Sequence, residues 1–292
     1  MIIKKFRLLV FYFVVLILFT IYVILDTLVL SSSYEAVNKN ISKNIDTGEI
    51  TFSDTKYEDD NVKIEIKEYR ENNTTIYVAF VEVNDPSYLN TAFAKDTYGK
   101  NVVEKTSVTA EKVNAILAIN GDYYGVQRQG FVLKNGKIYR SISNSNEDLV
   151  IYSDGKWEII DENNTDLENL LNNGAYNVLS FGPALINNSS VSVSTNDEVD
   201  KARRDNPRTA IGKINDNHYV FVVSDGRTTE STGLSLYQLA IFMKSLGCSV
   251  AYNLDGGGSS TMYFNGEVIN NPTSGHGGIK ERSVSDIVYI GY

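Results

Sequence analysis

The chain is poor in residues that staple, kink or ligate. One cysteine, Cys248, stands among 292 residues, which excludes an internal disulfide and any CxxC zinc or redox pair. Two histidines, His218 and His276, give no basis for a His-rich metal centre. Four prolines are too few for a Pro-rich linker or a collagen-like segment. Cations are also scarce, 27 Lys and Arg against 36 Asp and Glu, for a net charge of −9. Residues 1–30 hold three cations and one acid, a net +2, so residues 31–292 carry −11. An acidic body excludes non-specific nucleic-acid binding, which draws its affinity from Lys and Arg on phosphates.

What is present first is a long apolar run. Leu8 to Leu25 is broken only by Thr20 and two tyrosines, and Thr27 to Leu30 extends it past Asp26. At about 1.5 Å per residue, roughly 20 residues cross a hydrocarbon core of about 30 Å. Lys4, Lys5 and Arg7 flank it on the N-terminal side, which orients the N-terminus to the cytoplasm and the bulk of the chain outside. A cleaved signal peptide is the rival; its apolar region is usually about 7–15 residues and ends in an A-x-A-like site. Here the run is longer, and Ser31-Ser32-Ser33 is the best small-residue candidate. The expected organisation is therefore a cytoplasmic tip and transmembrane signal anchor over 1–30, a polar stem over 31–61 (a short edge strand near Glu49–Phe52 being the alternative within it), and one folded domain over 62–292.

The folded part starts with alternation. Val62, Ile64 and Ile66 predict a half-buried strand, and Thr75–Val83 a second, joined through the polar turn Glu71–Thr74. Ser107 is expected to cap a short helix leading to a buried strand at Ala115–Asn120. Further strands are expected at Gly130–Val132, Lys137–Tyr139, Asp148–Tyr152 and Asn177–Phe181. Residues 217–260 read strand (His218–Ser224), helix (Leu236–Leu246), strand (Ser249–Leu254). Ser235 and Gln238 form a capping box, and Gly247 stops the helix. Two near-continuous apolar strands joined by a helix predict a parallel pair with a crossover. The fold class is α+β (mixed α/β), with a mixed sheet and a βαβ unit, preceded by one transmembrane helix.

Three apolar strands run into an acid beside glycine: Asn120-Gly121-Asp122, Ser224-Asp225-Gly226-Arg227, and Asp255 followed by Gly256, Gly257, Gly258, Ser259, Ser260 and Thr261. Sites in α/β arrangements form at carboxyl ends of strands, and glycine beside aspartate lets backbone approach a ligand. A single Asp-Gly is more often a turn; three in this context ask for a purpose, because clustered carboxylates are costly unless paired, protonated or metal-bound. The glycine run fits neither G-x-G-x-x-G nor a P-loop. Its N–H groups, with the hydroxyls of Ser259, Ser260 and Thr261, suit an anion, although a tight structural bend is the plain alternative. Cations cluster at Lys201, Arg203, Arg204 and Arg208, and Arg208 is the one expected to serve phosphate. Arg227 either does likewise or pairs with Asp225. Ser259 or Ser260 with His276 lacks a G-x-S-x-G elbow, while His218 and Cys248 read as structural.

Together these pieces resemble the phosphodiester glycosidase family, whose bacterial members are often labelled exopolysaccharide-related. The resemblance covers about residues 75–292 and rests on Ala118–Tyr124, Phe181–Leu185, Asn206–Gly212, Ser224–Arg227, Asn253–Met262 and Arg282–Asp286, in family order. Animal members are cysteine-rich and this chain has one Cys, so packing must stabilise it. The resemblance implies hydrolysis of a sugar-1-phosphodiester at the glycosidic carbon in a glycan or wall polymer. Asp225 or Asp255 would be base or nucleophile; Asp122 with Asn120 would hold sugar hydroxyls or a divalent ion; Arg208 and the Gly256–Ser260 loop would take phosphate. No cofactor is required by that chemistry, although Ca or Mg would find hard oxygen ligands in Asp122, Asp225 and Asp255. Two alternatives stay open: a metal-dependent phosphodiesterase cutting P–O, and a non-catalytic glycan-binding or envelope-assembly protein.

Overall fold

The computed structural model describes residues 2–36, 46–198, 205–274 and 278–292. Its core lies between two sheets. The larger has nine strands in the order Ser190–Val191, Ala184–Asn187, Val250–Leu254, Arg208–Asn215, His218–Ser224, Thr74–Val83, Val62–Glu71, Lys56–Glu58 and Thr51–Phe52. The smaller runs Glu267–Val268, Met262–Phe264, Leu117–Asn120, Asp286–Ile290, Leu89–Phe93. Val62, Ile64, Phe221 and Leu254 of the first share one apolar cluster with Leu117, Ile119, Val288 and Met262 of the second. On its other face the larger sheet packs Val78, Val220, Val222 and Ala251 against Leu236, Leu239, Phe242 and Met243 of the helix Leu236–Ser245. Tyr219, Phe221 and Val223 therefore look one way while Val220 and Val222 look the other, all buried. A strand covered on both faces has no polar side, which is why this run is nearly continuous in apolar residues. Each such side chain contributes about 1.5–3 kcal/mol of burial.

Local signals landed close to their elements. The first hairpin turns through Asn72 and Asn73, both at positive φ (48° and 53°), as a two-residue primed turn between paired Glu71 and Thr74 requires. The capping box at Ser235 and Gln238 is formed in both directions. The helix near Ser107 begins at Thr106, so Ser107 lies inside its first turn. Its N–H and hydroxyl both donate to the carboxylate of Glu281, at 3.1 and 2.6 Å. A distant glutamate serves that end in place of a local cap.

Two expectations are corrected in detail. The strands His218–Ser224 and Val250–Leu254 do run parallel and are joined by the helix, but they are not neighbours. Arg208–Asn215 lies between and pairs antiparallel with both. Its own apolar stretch needs two flanks, and the crossover helix is long enough to step over one strand. The 31–61 stretch also carries strands. Ser32–Ala36 pairs with Thr97–Lys100, and Thr51–Phe52 and Lys56–Glu58 extend the edge of the larger sheet. Short polar strands have exposed side chains on nearly every position, so they carry no alternation to read.

The N-terminal helix spans Ile2–Leu28. Within it Arg7–Leu28, 22 residues of mean hydropathy 3.0, is long and apolar enough to cross a membrane, and its most apolar stretch has no buried residue. Its end is tied down: Lys100 bonds the carbonyl and carboxylate of Asp26, and the Asn101 amide donates to the carbonyls of Thr27 and Leu30.

Candidate active site

The antiparallel insertion of Arg208–Asn215 brings its first residue between two strand ends, with Arg208 opposite Ser224 and Thr209 opposite Leu254. Asp225 and Asp255 thus leave the same edge of the sheet, one on each side. The loop 256–261 joins them. Asn270 donates to Asp225 (3.3 Å) and to the carbonyl of Ser260 (3.0 Å), while Ser259 donates to Asp255 (2.6 Å). Asn120 locks this edge to the smaller sheet: its amide donates to the carbonyl of Asp255 (2.5 Å), and its oxygen accepts from Thr209 Oγ1 (2.8 Å) and the Thr261 N–H (3.2 Å).

Asp255 is buried beside a half-open cation. Burial pushes its pKa up, and Arg282 and Ser259 pull the other way. Arg282 Nη2 lies 3.3 Å from the carboxylate and 2.6 Å from Ser259 Oγ, and Nε donates to the same hydroxyl at 2.9 Å. The arginine side chain is 47% exposed. All three line a cavity of about 280 Å³, whose walls also include Leu28, Val29 and Tyr123. A buried carboxylate, a hydroxyl and a half-open guanidinium on one cavity can hold an anion and accept a proton from water beside it.

Asp225 is buried and its pKa is raised by that burial, opposed by donors from Asn271 and Asn270. The Asn271 N–H and amide approach it at 2.9 and 3.1 Å. Arg227, at φ 62°, turns from Asp225 to donate to the Asn206 side chain at 3.0 Å. Its guanidinium lies over Gly257, where a Cβ would come within 2.6 Å of Nη2 and φ is +62°. Only glycine fits there. Three of the loop's N–H groups are met inside the protein: Gly257 donates to the Pro207 carbonyl, Ser259 to Gly256 and Ser260 to Gly257. The hydroxyls of Ser260 and Thr261 are buried with no partner among the described residues.

Two predicted residues are placed elsewhere. Arg208, 2% exposed, donates from Nη2 to Glu198 (2.6 Å) and from Nε to the Leu234 carbonyl (2.8 Å). A fully buried guanidinium must satisfy its fork inside the protein, and the cavity beside Asp255 does not include it. Asp122 faces away, onto Lys134 Nζ at 3.0 Å; Lys134 also reaches Asp286 at 2.8 Å. Burial opposes the lysine's charge, yet the two carboxylates outweigh it and hold its pKa above the usual range. Asp286 is pushed up to about 7 by burial and by Asp122. Behind this cluster Ser180 links Asp122 to Glu162. Asp148, buried beside Glu162, is pushed up to about 9.

Asp122, Asp225 and Asp255 do not converge, and among the described residues no three His, Cys, Asp or Glu side chains group as a metal site. Each carboxylate instead faces N–H, O–H or ammonium donors. Cys248 is buried in the helix-side core and its thiol is pushed up to about 12. His218 sits at a strand start with Nδ1 on the Asp216 carbonyl. His276, Lys201, Arg203 and Arg204 lie outside the described residues. Sequence reasoning gave no role to Arg282, although it opens the last quoted motif; a lone arginine just before a buried strand was its signal.

Residues 113–291 match the phosphodiester glycosidase family. The chain belongs to that family. It is 29% identical over 201 residues to the SPbeta prophage-derived uncharacterized protein YomE of Bacillus subtilis (strain 168), covering 67% of this chain and 31% of that one. It is 38% identical over 66 residues to N-acetylglucosamine-1-phosphodiester alpha-N-acetylglucosaminidase of Mus musculus, covering 23% and 13%. It thus spans less than a third of either relative. In fold it is similar to the catalytic domain of the zebrafish N-acetylglucosamine-1-phosphodiester alpha-N-acetylglucosaminidase, auto-inhibited by its pro-peptide, with a TM-score of 0.62 at 22% identity, covering 90% and 89% of the two chains.

Proposed function

We propose that this phosphodiester-glycosidase family member is a single-pass, membrane-anchored hydrolase with an extracytoplasmic domain. Its substrates are sugar-1-phosphodiesters of envelope glycopolymers or exopolysaccharide, cut at the glycosidic C–O bond. The observation that carries the reading is the cavity on which Asp255, Ser259 and Arg282 meet. A phosphate leaves as a stable anion, so the reaction needs cationic and hydrogen-bond stabilisation of the leaving oxygen more than a strong acid. Arg282 supplies that stabilisation. Asp255 steadies the oxocarbenium-like carbon or takes the proton of the attacking water. Water oxygen bonds to the anomeric carbon as the carbon–oxygen bond to phosphate breaks, giving free sugar and a phosphomonoester. Asp225 supports the opposite side of the loop through Asn270.

Leu28 and Val29 wall the same cavity, and the zebrafish structure is described as auto-inhibited by a pro-peptide. Both support a reading in which the juxtamembrane segment restricts entry. The test uses the purified chain, N-acetylglucosamine-1-phospho-methyl and other sugar-1-phosphodiesters in ¹⁸O water, with and without EDTA, read by mass spectrometry. Label in the sugar is the expected result. Label in phosphate overturns C–O cleavage in favour of a phosphoesterase, and no turnover across several diesters favours a binding role.

A further inference from the structure

A second cavity, of about 400 Å³, lies beside the candidate site, and its walls are unlike the rest of this acidic chain. Lys100, Arg128 and Arg140 all line it, with Asp26 as the one acid among the described residues. Lys100 already holds Asp26, which leaves two guanidinium groups in excess. Tyr34 and Tyr98 add an aromatic wall, their rings 5.6 Å apart. The volume is within the roughly 300–1,000 Å³ of small-molecule sites.

Arg140 is held rigidly. Nε donates to the Gly130 carbonyl at 2.6 Å, and Nη1 to the carbonyls of Gln127 (2.7 Å) and Tyr124 (3.2 Å). Its guanidinium also interacts with the Tyr98 side chain on the same wall; Nη2 is buried without a well-formed hydrogen bond among the described residues, and so is Oε1 of Gln127, another wall residue. Two unmet polar atoms on one cavity wall carry a standing cost that an entering polar ligand relieves. Turned over, the Gln127 amide would donate as well. Arg128 stands exposed at the rim.

Position adds a second argument. The wall holds Asp26, in the last turns of the apolar helix, and Ser32 just beyond its end. Residues 26–29, 100–101 and 126–128 supply neighbouring walls to this cavity and to the one at Asp255. Where the helix crosses a bilayer, the cavity sits at headgroup depth, a few residues from the candidate site. Clustered arginines recognise phosphate through paired N–H donors.

We propose that this cavity is a phosphate-recognition site, taking the anion of a phosphate ester carried by a phospholipid headgroup or by a soluble glycan phosphate. The lipid arm rests on the membrane-crossing reading of the helix, while the cavity itself is independent of the proposed hydrolysis.

The experiment uses the full chain in dodecyl maltoside micelles. Calorimetry with glycerol 3-phosphate reads the soluble source. Native mass spectrometry from micelles doped equally with phosphatidylglycerol and phosphatidylcholine reads the lipid source. Saturable binding of glycerol phosphate, or preferential retention of phosphatidylglycerol, is expected. Arg128→Ala should weaken whichever is seen by roughly tenfold, the scale of one lost charge-assisted contact, and Arg128→Lys should recover part. Arg128 is exposed, so neither variant threatens the fold. Asp255→Asn should keep the binding even where turnover is lost, which separates this failure from failure of the hydrolase reading. Absence of both kinds of binding, or binding untouched in Arg128→Ala, overturns the proposal.

Discussion

Asn120-Gly121-Asp122 and Asp255-Gly256 leave buried strands in nearly the same words, and their carboxylates do opposite things. Asp122 is sealed: Lys134 bridges it to Asp286, the side chains of lysine and acids being 2% exposed or less. Gly121 keeps that seal tight, since a Cβ there would fall 2.4 Å from Asp286 Oδ1. Asp255 is almost as buried, yet its cation, Arg282, is half open and shares a cavity with it. The difference lies in the partner. A buried ammonium between two carboxylates spends its charge on the fold; a guanidinium at a rim keeps donors for something that arrives.

The comparison breaks most sharply by crossing the two sites. Asp255→Asn should cost activity on the order of 10²–10⁴-fold, the usual weight of a positioned acid–base group, with an unchanged urea midpoint. Lys134→Met should do the reverse. It leaves Asp122 and Asp286 buried without their cation, a loss of about 3–5 kcal/mol in stability, read as a lower urea midpoint. Activity in the fraction still folded should persist. Equal losses of activity and stability in both variants would dissolve the distinction.

Arg282→Ala sharpens it. Arg282 lowers the Asp255 pKa against the effect of burial, so its removal should move the acidic limb of the kcat/KM profile to higher pH. A loss of about 10²–10³-fold in kcat should accompany it, as for removal of one stabilising donor. A simple drop without a shift in the limb would assign Arg282 to binding alone.

The sealed acids also set how stability follows pH. Asp286 and Asp148 are raised to about 7 and about 9, whereas unfolded aspartate titrates near about 3.9. Between those values the folded chain holds protons that the unfolded chain has lost. The stability these two groups contribute is therefore full below about pH 4 and is lost as pH rises through 7 and 9. Urea midpoints should fall from pH 5 to pH 9, and Asp148→Asn should flatten the upper part of that fall. A midpoint that rises over the same range would contradict the burial of these groups.

Much of this was legible in the sequence. The alternation at Val62–Ile66, the Ser235–Gln238 box and the three acid-bearing strand ends are local patterns, and each sits where the spacing put it. Partners were not legible, because each is fixed by pairing across the fold. Asp122 is neutralised from Val132–Lys134, a strand buried throughout; a lone lysine in such a strand demands a carboxylate, and that was the available hint. Arg208 carried the right chemistry for phosphate but lies between two strand ends, where Glu198 and a carbonyl meet its donors. The interposed strand itself follows from register between distant segments, Thr209 pairing with Leu254 and Lys213 with Val250, which no periodicity records.

The smallest effect concerns the cavity at Asp255, where the open site meets the end of the helix. Leu28 contributes an apolar wall to the cavity that Arg282 lines, and the segment is held by the bonds of Lys100 and Asn101 to residues 26–30. Were the wall a passive part of the pocket, trimming it would weaken substrate contact and raise KM. Were it an obstruction, trimming would ease entry. Leu28→Ala should lower KM and raise kcat/KM severalfold while kcat holds, because the groups around the reacting bond are untouched. Asn101→Ala, which removes two of the bonds that hold the segment while leaving Leu28 in place, should move the same parameters in the same direction. Asp122 has no such neighbour to remove: it is closed by Lys134, so neither change should alter the urea midpoint set there. A raised KM in both variants would make the segment part of the substrate site.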